Sequence, residues 1–492
     1  MFETAQLTQT MSREEFARRE PEVRERLLDA QFRLGETKRR SVVLIVSGPE
    51  GSGKSETVNR LLEWIDARGV LAHALGEPTS EERERPPMYR FWRRLPPLGK
   101  IAIFSRSWYT AAISRHAQGR MGDAAFERYL RRIVEFERML SAENVRIVKL
   151  ALYITKHQQK RRFEKLERDP DTAWRVTRAD WKEHRAYDAL ERTSAIALRR
   201  TSRAEAPWRV VAAKNKRYRD MTVAEELLSA LEAATHEEPS VASVDAEPVP
   251  DPPTPNIVES IDLSQAVSPD AYARQLEHLQ GRLGRRSREL AKRERSVVAV
   301  FEGPDAAGKG GAIRRVVRAL DARAYRVVPV GAPTDEEAAL PYLWRFWRHL
   351  PGYGRFAVFD RSWYGRVLVE RVEAFAEPAV WKRAYEEINA FEEQLVDAGC
   401  ILLKFWIAIS KAEQLRRFEE RESTGYKRHK ITREDWRNRE KWSAYVTAAC
   451  DMVERTSTEL APWTLVSGED KRWARLEVLR TFVRRVEEAL DR

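Results

Sequence analysis

Hydrophobic and polar positions alternate between two patterns along this chain of 492 residues. Short, continuously apolar runs rich in β-branched residues are separated by longer charged segments with helical spacing. The apolar runs predict strands at 42–46, 101–104, 297–301, 356–359 and 401–409, and the charged segments predict helices such as 126–140 and 381–396. Because buried strands that alternate with helices form parallel sheets covered on both faces, the pattern predicts an α/β fold.

The same motifs occur twice, and the members of each pair are 255 residues apart. The pairs are GPEGSGK at 48–54 and GPDAAGK at 303–309, FWRRLP at 91–96 and FWRHLP at 346–351, FSRSWY at 104–109 and FDRSWY at 359–364, RRFE at 161–164 and 416–419, and APW at 206–208 and 461–463. A constant spacing over this length excludes chance matching. The sequence therefore predicts a tandem duplication of one domain.

A change of composition separates the two copies. No Lys or Arg occurs between Asp220 and Ala273, and six prolines lie among Glu, Asp, Ser and Val at positions 239–255. This composition favours an extended, semi-rigid linker. We therefore predict an N-terminal copy at 1–235, a proline-rich acidic linker at 236–268 and a C-terminal copy at 269–492.

The charge balance suits an acidic partner without identifying it. The chain has 88 Lys and Arg against 76 Asp and Glu, and the linker carries none of the basic residues, so the excess belongs to the two copies. A generally solvated charged surface is the alternative explanation. Two cysteines exclude a disulfide framework and a Cys-rich zinc site. The charged N-terminus and the short apolar stretch at 398–409 predict no secretory signal, no membrane span and a cytoplasmic protein.

The candidate chemistry begins at the glycine-rich turn that follows a predicted strand in each copy. In the C-terminal copy, the sequence from Gly303 to Lys309 fits G-x-x-x-x-G-K between a strand and a helix. Backbone N–H groups of such a loop surround phosphate oxygens, and the lysine reaches the phosphoryl group that is transferred. A glycine-rich turn with an exposed lysine is the alternative, but the strand context and the repetition favour a phosphate loop.

The residues that could hold a metal differ between the copies. The residue after the loop lysine is Ser55 in the first copy and Gly310 in the second. A Ser or Thr at this position usually coordinates Mg²⁺, so the motif alone favours the first copy. The end of a neighbouring strand reverses that preference, because it carries Asp360 in the second copy and Ser105 in the first.

A second carboxylate in the loop strengthens the metal-site prediction for the C-terminal copy. Asp305 lies inside the loop, and together with Asp360 it can hold Mg²⁺ directly or through water, since this ion needs few protein ligands. The alternative role for Asp360 is to cap a loop at the end of its strand. We expect the N-terminal copy to be catalytically impaired because Ser105 cannot replace a carboxylate charge.

Basic residues near Asp360 are suited to charge neutralisation. Arg361 would stabilise charge on a phosphoryl group in transit. Trp363 and Tyr364 are interpreted as packing residues. The basic segment 414–430 predicts a helix and a glycine-containing turn that could close over phosphates as a lid. A solvated charged helix is the alternative.

Together, these motifs resemble those of polyphosphate kinases of the second family. The resemblance rests on GPDAAGKGG at 303–311, APT at 332–334, DRSWY at 360–364, VERV at 369–372 and RRFEER at 416–421, and it is strong over 268–485 and weaker over 11–231. It implies a thymidylate-kinase-like P-loop fold in three layers with a helical lid. It also implies phosphoryl transfer between inorganic polyphosphate and a nucleotide with Mg²⁺, or with Mn²⁺ in its place. Two-copy members resemble the class that converts AMP to ADP.

Carried over by motif position, the resemblance implies four sets of site residues. The catalytic set is Asp305, Lys309, Asp360, Arg361, Arg417 and Arg421; the phosphate-binding set is Gly303, Ala306, Ala307, Gly308, Lys309, Gly310, Lys427 and Lys430; the nucleotide-binding set is Thr334, Arg366 and Glu370; the metal ligands are Asp305 and Asp360. Two departures are Pro304, where a basic residue is common, and the lack of an Asp-Pro turn in the second lid, which the first copy keeps at 169–170.

The resemblance thus implies phosphoryl transfer from polyphosphate to AMP, and the residues predict that the C-terminal copy performs the chemistry. The expected partners are polyphosphate and AMP or ADP, with no nucleic acid and no membrane, and self-association is left open. An ATP-dependent nucleotide kinase on the same fold is one alternative. A non-catalytic P-loop protein that binds polyanions is another.

Overall fold

Each copy folds around a five-stranded parallel sheet in the computed structural model, which describes residues 9–236, 257–424 and 431–491. The first sheet has the order β2-β3-β1-β4-β5 and the second has the order β10-β9-β6-β8-β7. Counted within its own copy, each sheet therefore has the same strand order. The strands are β1 (Ser41–Ser47), β2 (Val70–Ala74), β3 (Ile101–Arg106), β4 (Val145–Tyr153), β5 (Trp208–Ala212), β6 (Ser296–Glu302), β7 (Tyr325–Pro329), β8 (Phe356–Asp360), β9 (Cys400–Ala408) and β10 (Trp463–Ser467). The predicted α/β duplication is confirmed.

Helices connect the parallel strands, as parallel pairing requires. The first copy contains α1 (Arg13–Thr37), α2 (Lys54–Trp64), α3 (Ser80–Arg83), α4 (Tyr89–Trp92), α5 (Thr110–Ala117), α6 (Asp123–Ala142), α7 (Lys156–Arg168), α8 (Arg178–Arg185), α9 (Tyr187–Thr201) and α10 (Lys216–His236). The second contains α11 (Pro269–Ser287), α12 (Lys309–Val317), α13 (Asp335–Ala338), α14 (Trp344–Trp347), α15 (Val369–Val372), α16 (Pro378–Asp397), α17 (Lys411–Ser423), α18 (Arg433–Glu440), α19 (Trp442–Thr456) and α20 (Lys471–Asp491). The 3₁₀ turns are Ala67–Gly69, Ala173–Arg175 and Trp363–Val367.

The central strand of each sheet is apolar because helices cover both of its faces. All seven residues of β6 are buried, and six of the seven in β1 are buried. The outer strands β2 and β7 are mostly exposed, so their sequences lack a continuous apolar run. Each sheet has its own hydrophobic core.

A buried ion pair joins the sheet of the second copy to helix α16. Lys404 on β9 lies 2.7 Å from the Glu392 carboxylate, and Tyr364 donates a hydrogen bond of 2.6 Å to the same carboxylate. The first copy repeats the pair between Lys149 and Glu137 at 2.6 Å. Burying two charges is unfavourable unless they are paired and hydrogen-bonded, as they are here. The pair therefore fixes the chain that follows β8, where the predicted reactive residues lie.

The described residues fall into two compact units that do not coincide with a simple cut of the chain. The first unit contains 9–78, 90–236 and 334–344, and the second contains 79–89, 257–333 and 345–491. Most of the predicted linker, 237–256, lies outside the described residues, and α11 begins at Pro269. Both cysteines are buried and unbridged. In the part of the chain that the structure describes, no helix combines the length and apolar character needed to cross a membrane.

Candidate active site

The glycine-rich turn of the second copy connects strand β6 to helix α12. Gly303 and Gly308 adopt φ angles of +141° and +113°, and Gly308 is the N-cap of α12. A β-carbon on Gly303 would lie only 2.4 Å from the carbonyl oxygen of Ile407, so glycine is required there. Ala306 also has a left-handed φ, of +65°. The loop therefore has the backbone form in which N–H groups can converge on an anion at a helix N-terminus.

Lys309 spans this loop and lies beside the predicted metal ligands. Its ammonium donates to the carbonyl oxygens of Gly303 and Pro304 at 2.6 and 3.1 Å. Burial lowers the pKa of Lys309, while the negative charges of Asp305 and Asp360 oppose that shift. The loop lysine and both predicted aspartates are therefore within electrostatic reach of one another.

Asp305 and Arg361 form an ion pair across the site. An Arg361 guanidinium nitrogen lies 2.6 Å from Asp305 Oδ1, and Asn438 on α18 donates to Asp305 Oδ2 at 2.9 Å. Burial alone would raise the pKa of Asp305, but the charges of Lys309 and Arg361 hold it below its ordinary value. Arg361 has a left-handed φ of +63°, which aims the side chain that follows Asp360 back at the loop.

Asp360 ends strand β8 and lies over the first turn of α12. In the sheet it is in register with Phe301 of the central strand. Its Oδ2 atom is 3.8 Å from the point where a β-carbon on Gly310 would be, so any side chain at position 310 would contact this carboxylate. Gly310 therefore leaves the carboxylate open toward the loop. The serine of the first copy at this position, Ser55, has no aspartate to face.

Sequence reasoning missed a third carboxylate, that of Glu302 at the end of β6. Glu302 is 4% exposed and accepts a hydrogen bond of 2.8 Å from the Ser362 hydroxyl. Burial raises the pKa of Glu302 to about 7, with Asp360 adding to the shift. Its counterpart in the first copy is Ser47. Comparison of the two copies could therefore have pointed to Glu302, because both Glu302 and Asp360 are replaced by serine 255 residues earlier.

The described residues contain no cluster of three or more His, Cys, Asp or Glu arranged to hold a metal. The predicted ligands nevertheless fit Mg²⁺, because this ion needs one or two carboxylates and takes its other ligands from water and phosphate. Asp360 supplies an open carboxylate. Asp305 supplies another that is now paired with Arg361 and Asn438.

Arg417 requires a correction. The prediction placed it on a lid above the phosphates, but it is 2% exposed beneath the loop. Its guanidinium donates to the carbonyl oxygens of Ala306 and Ala307 at 2.9 and 3.0 Å, and to those of Gly468 and Glu469 at 2.7 and 2.9 Å. The reason is that α17 buries one face against the loop, which a count of charges along the sequence cannot reveal.

The remaining predicted residues are only partly brought together. Arg421 lies half-buried in the last turn of α17, and Lys427 and Lys430 lie outside the described residues. Arg366 pairs with Glu370 at 2.7 Å. The Thr334 hydroxyl instead caps α13, a helix of the first unit.

A cleft of about 820 Å³, its open mouth included, adjoins the loop. Its polar end contains Asp305, Arg361 and Asn438, and its walls are largely apolar. The apolar wall residues include Val258, Leu368, Trp406, Ala408, Trp442 and Val446. A phosphate site that continues into an apolar cleft is suited to a ligand with a phosphate at one end and a flat, poorly charged group at the other.

Comparison with known proteins identifies the chain. The family described as polyphosphate kinase 2 matches residues 10–239 and, separately, 266–492. The chain belongs to the polyphosphate kinase 2 family. The double match agrees with the duplication found in the sequence and the two sheets.

Relatives of similar length match almost the whole chain. A polyphosphate:AMP phosphotransferase of Pseudomonas aeruginosa is 48% identical over 499 residues and covers 99% of both chains. A protein of the same name from Pseudomonas syringae pv. tomato is 45% identical over 494 residues, covering all of this chain and 99% of the relative. The crystal structure of a polyphosphate kinase 2 from P. aeruginosa superposes with a TM-score of 0.90 at 46% identity, covering 100% of this chain and 99% of that one.

The two sites of this polyphosphate kinase 2 chain share the loop but not its surroundings. Lys54 donates to the carbonyl oxygens of Gly48 and Pro49, as its counterpart does in the second copy. Glu50 pairs with Lys54 at 3.4 Å and with Arg106 at 3.2 Å. The first copy therefore keeps the phosphate loop and its neighbouring arginine while lacking the carboxylates of Glu302 and Asp360.

The walls beside the first loop differ as well. Tyr153 is buried at the position that corresponds to Ala408 and is hydrogen-bonded to Tyr187, the counterpart of Trp442. Tyr187 is also close to Glu191, which replaces Val446. Large and charged side chains thus occupy positions that form apolar cleft wall in the second copy.

A different arginine supports the first loop from below. Arg219 on α10 is fully buried and donates to the carbonyl oxygen of Ser52 at 3.3 Å. Its counterpart in the second copy is Ala474. Arg162, the counterpart of Arg417, instead pairs with Glu56 at 2.5 Å.

Proposed function

We propose that this protein transfers the terminal phosphoryl group of inorganic polyphosphate to AMP, forming ADP, in a reversible reaction carried out by the C-terminal copy. The observation that carries the proposal is the second phosphate loop, which has Lys309, Asp360 and Arg361 around it and an apolar cleft beside it. Relatives that cover nearly the whole chain are named for this activity, which supports the proposal.

In the reaction, an oxygen of the AMP phosphate forms a bond to the terminal phosphorus of polyphosphate. The bond from that phosphorus to the bridging oxygen breaks, and the shortened polyphosphate leaves with the electron pair. Because the nucleophile is already an anion, no strong general base is required. Positioning by the loop and by Lys309, with charge neutralisation by Arg361, accounts for the catalysis.

Asp360 and Asp305 would hold a divalent metal, Mg²⁺ or Mn²⁺, through carboxylate oxygens. When bound, the metal neutralises charge on the phosphate oxygens. The open position of Asp360 over Gly310 makes it the ligand that needs no rearrangement. Asp305 already contacts Arg361 and Asn438, and metal binding would either leave these contacts in place or replace them with contacts to the metal.

The acceptor nucleoside would occupy the apolar cleft, with its phosphate toward Arg361. Arg366 and Glu370 lie on the segment that lines the cleft at Gly365, Leu368 and Val369, which supports their predicted contact with the nucleotide. Thr334, whose hydroxyl caps α13, stays a predicted contact of the nucleotide.

The first copy, in this proposal, does not turn over. It lacks the carboxylates at positions 47 and 105, and Tyr153 and Tyr187 occupy the positions of the acceptor cleft. The substrates and the two buried, unbridged thiols support a reducing, cytoplasmic location. A nucleic-acid partner is not proposed.

The test is to offer the purified protein AMP, ADP or GMP, with either polyphosphate or ATP as donor, in the presence of Mg²⁺. We expect rapid formation of ADP from AMP with polyphosphate and little product with ATP. Efficient transfer from ATP without transfer from polyphosphate would favour the nucleotide-kinase alternative. Polyphosphate binding without turnover of any acceptor would favour a non-catalytic polyanion-binding protein.

A further inference from the structure

One wall of the cleft comes from the chain that joins the two copies. Val258 lines the cleft, yet it lies before α11 and outside the sheet, helices and lid of the second copy. It is 9% exposed, whereas the residue before it, Ile257, is 43% exposed and the residue after it is also exposed. A single buried apolar side chain in an exposed segment indicates an anchored position.

Helix α19 provides the anchor. The backbone N–H of Val258 donates to the sulfur of Cys450, which is buried. Cys450 lies one helical turn after Val446, so the two residues share a face of α19. Since Val446 also lines the cleft, the anchor holds Val258 on the cleft side of this helix.

The anchor belongs to the second copy alone. The residue 255 positions before Cys450 is Ala195, which has no sulfur to accept the hydrogen bond. The residue that corresponds to Val446 is Glu191, whose carboxylate does not suit an apolar contact. Both differences distinguish the second copy, which forms the cleft, from the first copy, in which tyrosines occupy the positions equivalent to Ala408 and Trp442.

We propose that Val258 is a specificity-determining residue for the acceptor nucleotide, because it supplies part of the wall against which the nucleoside packs. The proposal rests on the proposed assignment of the cleft to the acceptor. An apolar wall offers no hydrogen bonds and therefore selects by shape, and a change of one or two methyl groups alters binding measurably. In the proposed function the polyphosphate chain is held at the loop, so its binding should not depend on Val258.

The test compares Val258→Ala with Val258→Ile in the full-length chain. We expect Val258→Ala to raise the KM and the Kd for AMP about tenfold, with the KM for polyphosphate unchanged. Val258→Ile keeps the wall apolar but adds one methylene, and it should also change the Kd for AMP while leaving the KM for polyphosphate unchanged. Because Trp406 and Trp442 line the cleft, quenching of tryptophan fluorescence by AMP gives the Kd independently of turnover.

Ile257→Ala is the matched control, since this exposed neighbour should leave both KM values unchanged. Thermal denaturation checks that each variant is folded. A folded Val258→Ala protein with the parent's affinity for AMP would overturn the inference, as would an equal rise in the KM for polyphosphate. A parent that transfers nothing from polyphosphate to AMP would count against the proposed function, whereas an active parent with an unaffected Val258→Ala variant counts against this inference alone.

Discussion

Asp360 is the residue on which the proposed chemistry of the second copy most depends. Its carboxylate lies open above Gly310, while the equivalent position in the first copy is Ser105. Asp360→Asn keeps the size of the side chain and removes its charge. We expect the rate of AMP phosphorylation to fall by at least about two orders of magnitude, as when one preorganised charged group is removed from an active site.

Steady-state kinetics with polyphosphate and Mg²⁺ measures this loss, and Ser105→Ala is the control that should retain activity. If Asp360→Asn is folded and loses less than about tenfold, the residue caps the end of β8 and the metal assignment is wrong.

Glu302 makes the stability of the metal-free protein depend on pH. Its pKa is about 7 in the folded protein because it is buried, against an ordinary value of 4.5. As the pH rises from 4.5 to 7, the unfolded chain releases this proton before the folded chain does, so the folded state loses stability across that window. The raised pKa corresponds to a decrease of about 3 kcal/mol in the free energy of unfolding across this window. Glu302→Gln removes the titrating group and should remove this part of the decline.

Thermal denaturation of both proteins in EDTA, from pH 4 to pH 8, tests the expectation. The Tm of Glu302→Gln should rise relative to that of the parent between pH 4.5 and 7 and remain constant relative to it above pH 7. Parallel profiles would mean that the pKa of Glu302 is not raised in the folded protein.

At the scale of elements, α17 packs against the loop through the buried side chain of Arg417. Arg417 binds four carbonyl oxygens, two in the loop and two after β10. Arg417→Ala leaves these carbonyl groups without this donor and removes one of the two arginine partners of Glu413. We expect a loss of about 3 kcal/mol in stability and a large loss of activity.

The salt dependence of polyphosphate binding distinguishes an arginine that supports the loop from an arginine that contacts the polyphosphate directly. Each arginine that contacts the polyanion adds to the slope of log Kd against log salt, by analogy with nucleic acids. Arg421→Ala should flatten this slope, whereas Arg417→Ala should leave it unchanged. Arg162→Ala, the matching change in the first copy, should cost much less stability because that arginine pairs with partly exposed Glu56. A flattened slope in Arg417→Ala would restore this arginine to the phosphate side.

Apolar periodicity was sufficient to predict the central strands and the long helices. Strand β4 was harder to see, because both Arg146 and Lys149 interrupt its apolar run. Lys149 is tolerated in the core because it pairs with Glu137 on the preceding helix. The loop, Asp360 and Arg361 were predictable because their motif follows a strand. The role of Arg417 was not, since its partners lie about 50 and 110 residues away in the sequence. Packing confirmed Trp363 and Tyr364 as buried residues.

At the scale of the whole molecule, the structure predicts unequal copies. Lys309→Ala should abolish AMP phosphorylation, because the ammonium lies beside the only pair of loop and strand-end aspartates among the described parts of the two sites. Lys54→Ala should leave most of the activity, since the first site has Ser105 in place of a carboxylate and the buried Tyr153 in place of Ala408 of the cleft wall.

The two variants are compared with the parent at saturating AMP and polyphosphate. The point substitutions are preferable to a deletion, because they leave the rest of the chain unchanged. A folded but inactive Lys54→Ala protein beside an active Lys309→Ala protein would assign the chemistry to the first copy.

A buried arginine supports the phosphate loop in each copy. Its origin shows how the two copies diverged and what would be needed to restore activity to the first copy. Arg219 reaches the first loop from α10, and Arg417 reaches the second from α17. The motifs of the two copies kept their spacing, but the arginine that supports the loop comes from a different helix in each copy. Divergence from one ancestor therefore preserved the main chain more than the side-chain contacts. Grafting Glu and Asp onto positions 47 and 105 would therefore restore the missing charges to a loop held by another scaffold. To obtain two active sites in one chain, the arginine that supports the loop would have to be introduced together with the two carboxylates.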